Sequence, residues 1–83
     1  MDAETVERQI LAFLRERVEE DQETIRRDTA LVSSGLIDSM DTVRLATHLE
    51  RTLRLKIPDE DISVENFDSI ARILSYVEGR LGG

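Results

Sequence analysis

The sequence of 83 residues contains no cysteine, which excludes disulfide bonds, thiolate metal sites and a cysteine nucleophile. Aromatic residues are scarce, with one tyrosine, two phenylalanines and no tryptophan, so the core must be largely aliphatic. The chain has only one proline and four glycines, and no Pro/Gly/Ser-rich linker divides it. We therefore expect a single domain spanning residues 1–83, which is long enough to fold alone.

Long hydrophobic runs and an excess of positive charge are also missing. The longest apolar run, 10–14, is far shorter than the roughly 20 residues that span a bilayer. The net charge of −7 argues against nucleic acid as a partner, because phosphate backbones are neutralised by Lys and Arg. The first residues are acidic, unlike those of a signal peptide. We expect a cytoplasmic monomer that neither binds nucleic acid nor inserts into membranes.

The negative charge is distributed unevenly along the chain. Residues 1–24 contain eight acidic and three basic residues, and residues 55–65 contain four acidic residues and one basic residue. The segment 38–54 is neutral, because its three acidic residues are balanced by Arg44, Arg51 and Arg54. The middle of the sequence therefore differs in charge from the segments on either side.

Apolar residues at three- and four-residue intervals predict two helices in the first two thirds of the chain. The first is expected at 3–20, with Asp2 as its N-cap, and the second at 39–53 or 39–54. The inward face of the first comprises Val6, Ile10, Phe13, Leu14 and Val18. That of the second comprises Met40, Val43, Ala46, Leu49 and Leu53, widened by Leu45. Residues 21–38 lack a helical period, and their apolar residues favour an ordered loop anchored by Ile25, Leu31, Leu36 and Ile37.

The last third of the chain predicts one more long helix. Pro58 interrupts regular structure, and the residues after it are expected to form one short helical turn. The last helix should begin near Ser69, with Asp68 as its N-cap, and end at Gly82. Its stripe comprises Ile70, Ile73, Leu74, Val77 and Leu81. Since no segment is a convincing strand, the prediction is an all-α, small four-helix bundle: three main helices, one short helix and a long loop between helices 1 and 2.

Ser39 stands at the predicted start of the second helix, in the run GLIDSM. One explanation is structural, because Asp38 or Ser39 can cap the helix. The other is functional: a helix N-terminus has free N–H groups and a positive dipole end, which favour a phosphate joined to the serine oxygen. Both remain open, since Asp38 can cap the helix while Ser39 carries a group.

The residue pattern predicts neither a hydrolase nor a metal site. Ser39 is not in a Gly-x-Ser-x-Gly motif, and the single histidine, His48, lies about 13 Å further along the same helix, roughly half a turn out of phase. We expect His48 to be a partly exposed helix-surface residue. Asp59 and Asp61 faintly resemble the start of a calcium loop, but Val64 occupies the position that requires glycine.

The run GLIDSMDTVRLATHLE resembles the signature of acyl carrier proteins, in which Asp-Ser-Leu or Asp-Ser-Met begins the second helix. Three further segments resemble the same family: the D-x-x-L-x-x-x-G-L pattern at 28–36, the Ile-Pro-Asp-Glu block at 57–60 and the run ENFDSIARI at 65–73. The resemblance covers nearly the whole chain and is strongest between 28 and 77. It implies a free-standing carrier with a four-helix bundle fold.

The resemblance also implies a prosthetic group and its site. A phosphopantetheinyl transferase would attach 4′-phosphopantetheine from coenzyme A to Ser39. Asp38 would help the transferase to position the reaction, and Met40 would face the arm or the transferase. The thiol of the arm would carry an acyl or aminoacyl group as a thioester between loading and transfer enzymes. The carrier itself would not be an enzyme.

The neutral second helix departs from the acidic one that is typical of carriers in fatty acid biosynthesis. Arg44, His48 and Arg51 stand where acidic or small residues are usual. This favours a specialised pathway, such as polyketide or other secondary-metabolite assembly or aminoacyl activation. The alternative is a non-catalytic helical interaction module without the prosthetic group, in which Ser39 only begins a helix. Modification of Ser39 discriminates between the two hypotheses.

Overall fold

A computed structural model describes residues 2–17 and 25–82. These residues form four α-helices: α1 (Ala3–Arg17), α2 (Ser39–Leu53), α3 (Val64–Phe67) and α4 (Ile70–Gly82). A 3-10 turn at Asp59–Asp61 precedes α3. The described residues contain no strand, which confirms the predicted all-α class. None of the helices in these two ranges is long and apolar enough to cross a bilayer.

Helix α1 begins where the sequence predicts. The carboxylate of Asp2 accepts hydrogen bonds from the Thr5 N–H at 2.9 Å and the Thr5 hydroxyl at 2.7 Å, so the predicted N-cap is confirmed. These bonds, the backbone one first, lower the pKa of Asp2. The buried residues of α1 are Val6, Ile10, Phe13 and Leu14, as expected. The predicted continuation of this helix to residue 20, including Val18, lies outside the described residues.

Helix α2 has the predicted bounds, but its buried face differs from the prediction. Met40 and Val43 were expected to point inward, yet they are 57% and 45% exposed. The buried residues are Thr42, Leu45, Ala46, Leu49 and Leu53, which also follow a helical spacing. This stripe includes a polar residue because the Thr42 hydroxyl donates to the Asp38 carbonyl at 2.9 Å, which satisfies it inside the protein. The prediction for Met40 and Val43 was therefore wrong.

The described part of the connection between α1 and α2 is an ordered loop. Ile25, Leu31 and Ile37 are buried, and Leu36 packs against the core while partly exposed. All four predicted anchors therefore contact the bundle. Burial of Leu31 and Ile37 fixes the part of the loop that leads directly into α2, because each removes an apolar side chain from water.

The segment after Pro58 contains more helix than expected. The short helical turn predicted there is the 3-10 turn at Asp59–Asp61, and α3 is a separate turn that the sequence pattern did not indicate. The predicted cap of α4 was wrong. The Ser69 hydroxyl, rather than Asp68, accepts the Arg72 N–H at 3.1 Å, because the Asp68 carboxylate is bound to the loop before α2.

The helices enclose one aliphatic core. Helix α1 packs against α2 and α4, and α3 packs against α4. Phe67 of α3 is fully buried, and its ring centroid lies 5.9 Å from that of Tyr76 on α4. The predicted α4 stripe is buried at Ile70, Ile73 and Val77 and partly buried at Leu74, whereas Leu81 in the last turn is 45% exposed.

Candidate functional site at the start of helix α2

Ser39 is the first residue of α2 and is exposed to solvent. Its hydroxyl makes no hydrogen bond with any other residue that the structure describes. Because it begins a helix of 15 residues, the hydroxyl lies at the positive end of the helix dipole. A hydroxyl oxygen in this position is accessible to a second protein.

Asp38 is the N-cap of α2, which decides between the two possible caps. Its backbone is extended, and its carboxylate accepts the Asp41 N–H at 2.8 Å. Its carbonyl accepts the Thr42 N–H at 3.0 Å and the Thr42 hydroxyl at 2.9 Å. Three hydrogen bonds therefore fix the backbone on the N-terminal side of Ser39, and the serine side chain takes no part in them.

Asp68 anchors the loop that leads to this site. Its carboxylate accepts the N–H groups of Val32 and Ser33 at 2.9 and 2.8 Å and the Ser33 hydroxyl at 2.8 Å. Its carbonyl accepts the Leu31 N–H at 2.6 Å. The bonds from Ser33 are the main reason why the pKa of Asp68 is lowered. The junction between α3 and α4 is thereby joined to the segment just before α2.

Sequence analysis missed this role of Asp68. The neighbouring residues Asp68 and Ser69 are both good N-caps, so the local pattern does not show which of them begins α4. The hydrogen bonds from Val32 and Ser33 to Asp68 join residues that are 36 and 35 positions apart, respectively. No helical period or local motif reports a contact at such a separation. The one available signal is the pairing of two good caps, of which only one is needed.

Two further features hold the loop between α1 and α2 in place. Arg27 donates to the Glu7 carboxylate of α1, with a shortest distance of 2.8 Å, and its carbonyl accepts the Ala71 N–H of α4 at 2.9 Å. The hydrogen bond from Arg27 lowers the pKa of Glu7. Gly35 has a φ of +85°, a conformation that residues with a Cβ rarely adopt, and it allows the chain to turn back toward Ile37.

The surface beside Ser39 is partly apolar. Met40 is the next residue, and Val43 lies one helical turn further along α2. Both are substantially exposed, although apolar side chains of this size are usually buried. Exposed apolar side chains next to an accessible hydroxyl favour contact with another protein or with an attached group.

His48 lies further along α2, about 13 Å from Ser39 along the helix axis. It is half-buried, as predicted, and its ring centroid lies 5.8 Å from that of Phe13 on α1. Its Nε2 atom is buried and has no hydrogen-bond partner within the described ranges. No group of three or more His, Cys, Asp or Glu side chains among the described residues is arranged to hold a metal ion.

The start of α2 fits a phosphate ester on the serine oxygen. The hydroxyl is exposed, is free of described partners and lies at a helix N-terminus, where negative charge is stabilised. The two neighbouring carboxylates already have partners: Asp38 accepts the Asp41 N–H, and Asp41 lies 3.2 Å from Arg44 and 3.7 Å from Arg17. Their repulsion of an added phosphate is therefore reduced.

A comparison with protein families identifies the chain. The model of the phosphopantetheine attachment site family matches residues 8–77. The protein belongs to this family. Membership of this family implies a covalently attached 4′-phosphopantetheine as the prosthetic group. The helical bundle agrees with the fold expected of an acyl carrier.

The protein is also similar to known D-alanyl carrier proteins. Those of Streptococcus pyogenes serotypes M5 (strain Manfredo), M49 (strain NZ131) and M1 are each 31% identical to it over 51 residues. The alignment covers 61% of this chain and 65% of each relative, just under two thirds of the relatives' length. The similarity thus extends over part of each protein.

Proposed function

We propose that Ser39 is the residue to which 4′-phosphopantetheine is attached. The observation that carries this proposal is the division of roles at the start of α2. Asp38 supplies the helix cap, and the Ser39 hydroxyl is exposed and has no described partner. A serine that was present only to begin the helix would be expected to use its side chain as the cap.

The residues around Ser39 have separate tasks in this proposal. Asp38 and Thr42 hold the backbone so that the serine oxygen is presented at a fixed position to the transferase. Met40 supplies an exposed apolar contact for the transferase or the arm. When attached, the arm supplies the thiol on which a cargo is carried, and this chain, which has no cysteine, has no thiol of its own.

The cargo is an acyl or aminoacyl group held as a thioester, and the aminoacyl class has the stronger support. The similar streptococcal proteins are carriers of D-alanyl groups by name. The segment 38–54 is neutral, so it is poorly suited to the basic enzyme surfaces that bind acidic carriers. This favours partner enzymes of a specialised pathway. Intact mass of protein isolated under thioester-preserving conditions identifies the cargo, and a fatty acyl mass would overturn the aminoacyl assignment.

The same proposal assigns the partners and the setting of the protein. Its partners are a phosphopantetheinyl transferase and the enzymes that load and remove the cargo. It acts as a cytoplasmic monomer and catalyses no step itself, because the reactive thiol is presented to the active sites of other proteins. Size-exclusion chromatography with light scattering tests the monomeric state, and a stable dimer would contradict it.

The proposal is tested by intact mass spectrometry after incubation with coenzyme A, magnesium and a broad-specificity phosphopantetheinyl transferase. Wild-type protein should gain one phosphopantetheinyl group, and the Ser39→Ala variant should gain none. Ser33→Ala is the matched control, because Ser33 lies in the loop before α2 and should not affect the gain. Circular dichroism verifies that each variant is folded. No gain in wild type with several transferases would favour a helical interaction module without the prosthetic group.

A further inference from the structure

An open groove of about 380 Å³ lies between α1 and α2. Its lining residues are Ala12, Phe13, Glu16, Arg17, Val43, Arg44, Thr47, His48 and Arg51. Three arginines and one glutamate thus surround it, whereas the whole chain has a net charge of −7. Arg17 lies 3.5 Å from Glu16 and 3.7 Å from Asp41, and Arg44 lies 3.2 Å from the same Asp41. Among the described residues, the groove and its rim therefore carry three positive charges against two negative ones, on a protein that is acidic as a whole.

The arginines of the groove are arranged around apolar side chains. The guanidinium carbon of Arg17 lies 3.9 Å from the centroid of the Phe13 ring, and the His48 ring contacts the same phenylalanine. Val43 is 45% exposed within the lining. Arg44 lies near Asp41, but its side chain is still 53% exposed, so its charge remains accessible to a partner.

The lining of the groove follows two helical turns of α2. Val43 and Arg51 are separated by two turns of α2, or about 12 Å. An amphipathic helix commonly binds such a groove by placing its apolar face inward, and its polar residues then meet the charged rim. With arginines on this rim, charge complementarity favours glutamate and aspartate on the partner.

We propose that this groove is the docking surface for an acidic amphipathic helix of a partner enzyme. The proposal rests on the proposed carrier function, because the partner would act on the group attached to Ser39. Val43 lies on the same side of α2 as Ser39 and about 6 Å further along its axis. A helix seated in the groove would therefore lie beside the point of attachment, where an active site must reach the arm.

The test uses the 83-residue protein without its prosthetic group. Its ligands are two synthetic helical peptides of roughly 15 residues, a length at which isolated helices begin to form. Both peptides have leucine on one face; the polar face carries glutamate in one and lysine in the other. Titration of ¹⁵N-labelled protein followed by NMR should show saturable binding of the glutamate peptide, with amide shifts at Val43, Thr47 and His48. The lysine peptide should bind at least about tenfold more weakly.

Two double variants test the charge of the groove. Arg44→Glu with Arg51→Glu should weaken binding of the glutamate peptide at least about tenfold, because attraction is replaced by repulsion. Arg8→Glu with Arg15→Glu is the matched control: it changes the net charge equally, at exposed positions of α1 outside the groove. At about 0.15 M salt, distant charges are screened, so this control should change affinity less than about threefold.

Four results would overturn the proposal. They are absence of saturable binding, equal binding of the two peptides, amide shifts located away from the groove, and equal losses of affinity in the two double variants. The peptide titration does not use the phosphopantetheine arm. A failure to bind the peptide would therefore not bear on the attachment of the arm to Ser39, which the mass measurement tests separately. Conversely, absence of attachment with intact peptide binding would reject the carrier function and keep the groove as an interaction surface.

Discussion

Replacement of Asp38 separates its role in the fold from its role in the modification of Ser39. Its carboxylate accepts the Asp41 N–H, so Asp38→Ala removes the side-chain cap of α2. The Asp38 carbonyl still accepts both hydrogen bonds from Thr42, which limits the damage. The expected loss is therefore that of an ordinary N-cap, about 1 kcal/mol. In a domain of this size that lowers Tm by about 4–8 °C.

Asp38→Asn is the matched control for this experiment. Asparagine caps helices as well as aspartate does, so its Tm should stay within about 2 °C of the wild-type value. It lacks the negative charge that we expect the transferase to use, so its initial rate of modification should fall at least about tenfold. Thermal unfolding followed by circular dichroism gives Tm, and time-resolved intact mass gives the rate.

Two results would refute the reasoning about Asp38. If Asp38→Asn destabilised the protein as much as Asp38→Ala, the hydrogen bond to Asp41 would not be the source of the stabilisation. If Asp38→Asn were modified at the wild-type rate, the carboxylate would serve only as a cap. Either result is interpretable, because stability and rate are measured on the same two variants.

Three further predictions concern the bundle. Leu49→Ala should lower the free energy of unfolding by about 2–5 kcal/mol in urea titrations, because Leu49 is fully buried; a loss below about 1 kcal/mol would contradict its core position. Arg54→Gly should raise this free energy by about 0.5–1 kcal/mol, since Arg54 ends α2 with a φ of +54°; a loss would show that its side chain matters more than its backbone strain. Burial is the main cause that raises the pKa of Tyr76 to about 12, and the 2.7 Å hydrogen bond that its hydroxyl donates to Asp61 is the second. The contribution of the protonated Tyr76 to the free energy of unfolding is therefore complete below pH 10 and is lost as the pH rises toward 12. Since Tyr76 is the only tyrosine, ultraviolet absorbance reads its titration directly; Asp61→Asn should lower this pKa, and an unchanged value would remove Asp61 as a cause.

The long helices could be predicted because their apolar residues recur with the helical period. The bounds of α2 and the cap of α1 at Asp2 are confirmed. Periodicity was less reliable for the orientation of α2, since Met40 and Val43 fit the period nearly as well as the true stripe does. The buried stripe includes Thr42, whose hydroxyl is satisfied by the Asp38 carbonyl, and hydropathy alone does not report such a hydrogen bond.

The elements near the loop were harder to predict because they depend on contacts between distant residues. Asp68 was expected to cap α4, but its carboxylate binds Val32 and Ser33 instead, and Ser69 supplies the cap. The short helix α3 was not predicted, since a single turn contains too few residues to show a period.

The candidate site was easier to predict than the loop that positions it. Asp38, Ser39 and Met40 are adjacent in the sequence, so the motif alone brings them together at the start of α2. Exposure of the Ser39 hydroxyl, by contrast, required the structure, because either Asp38 or Ser39 can cap a helix. The groove between α1 and α2 likewise required the packing of two helices that are distant in sequence.

The measurement that most directly tests the central claim is localisation of the phosphopantetheinyl group within the modified protein. Trypsin cleavage after Arg27 and Arg44 releases the peptide 28–44, which contains Ser33, Ser34 and Ser39. Fragmentation of this peptide by mass spectrometry distinguishes these three hydroxyls from one another and from those of Thr29 and Thr42. We predict that every fragment carrying the group includes Ser39. A group located on any other hydroxyl of this peptide, or outside the peptide, would contradict the account.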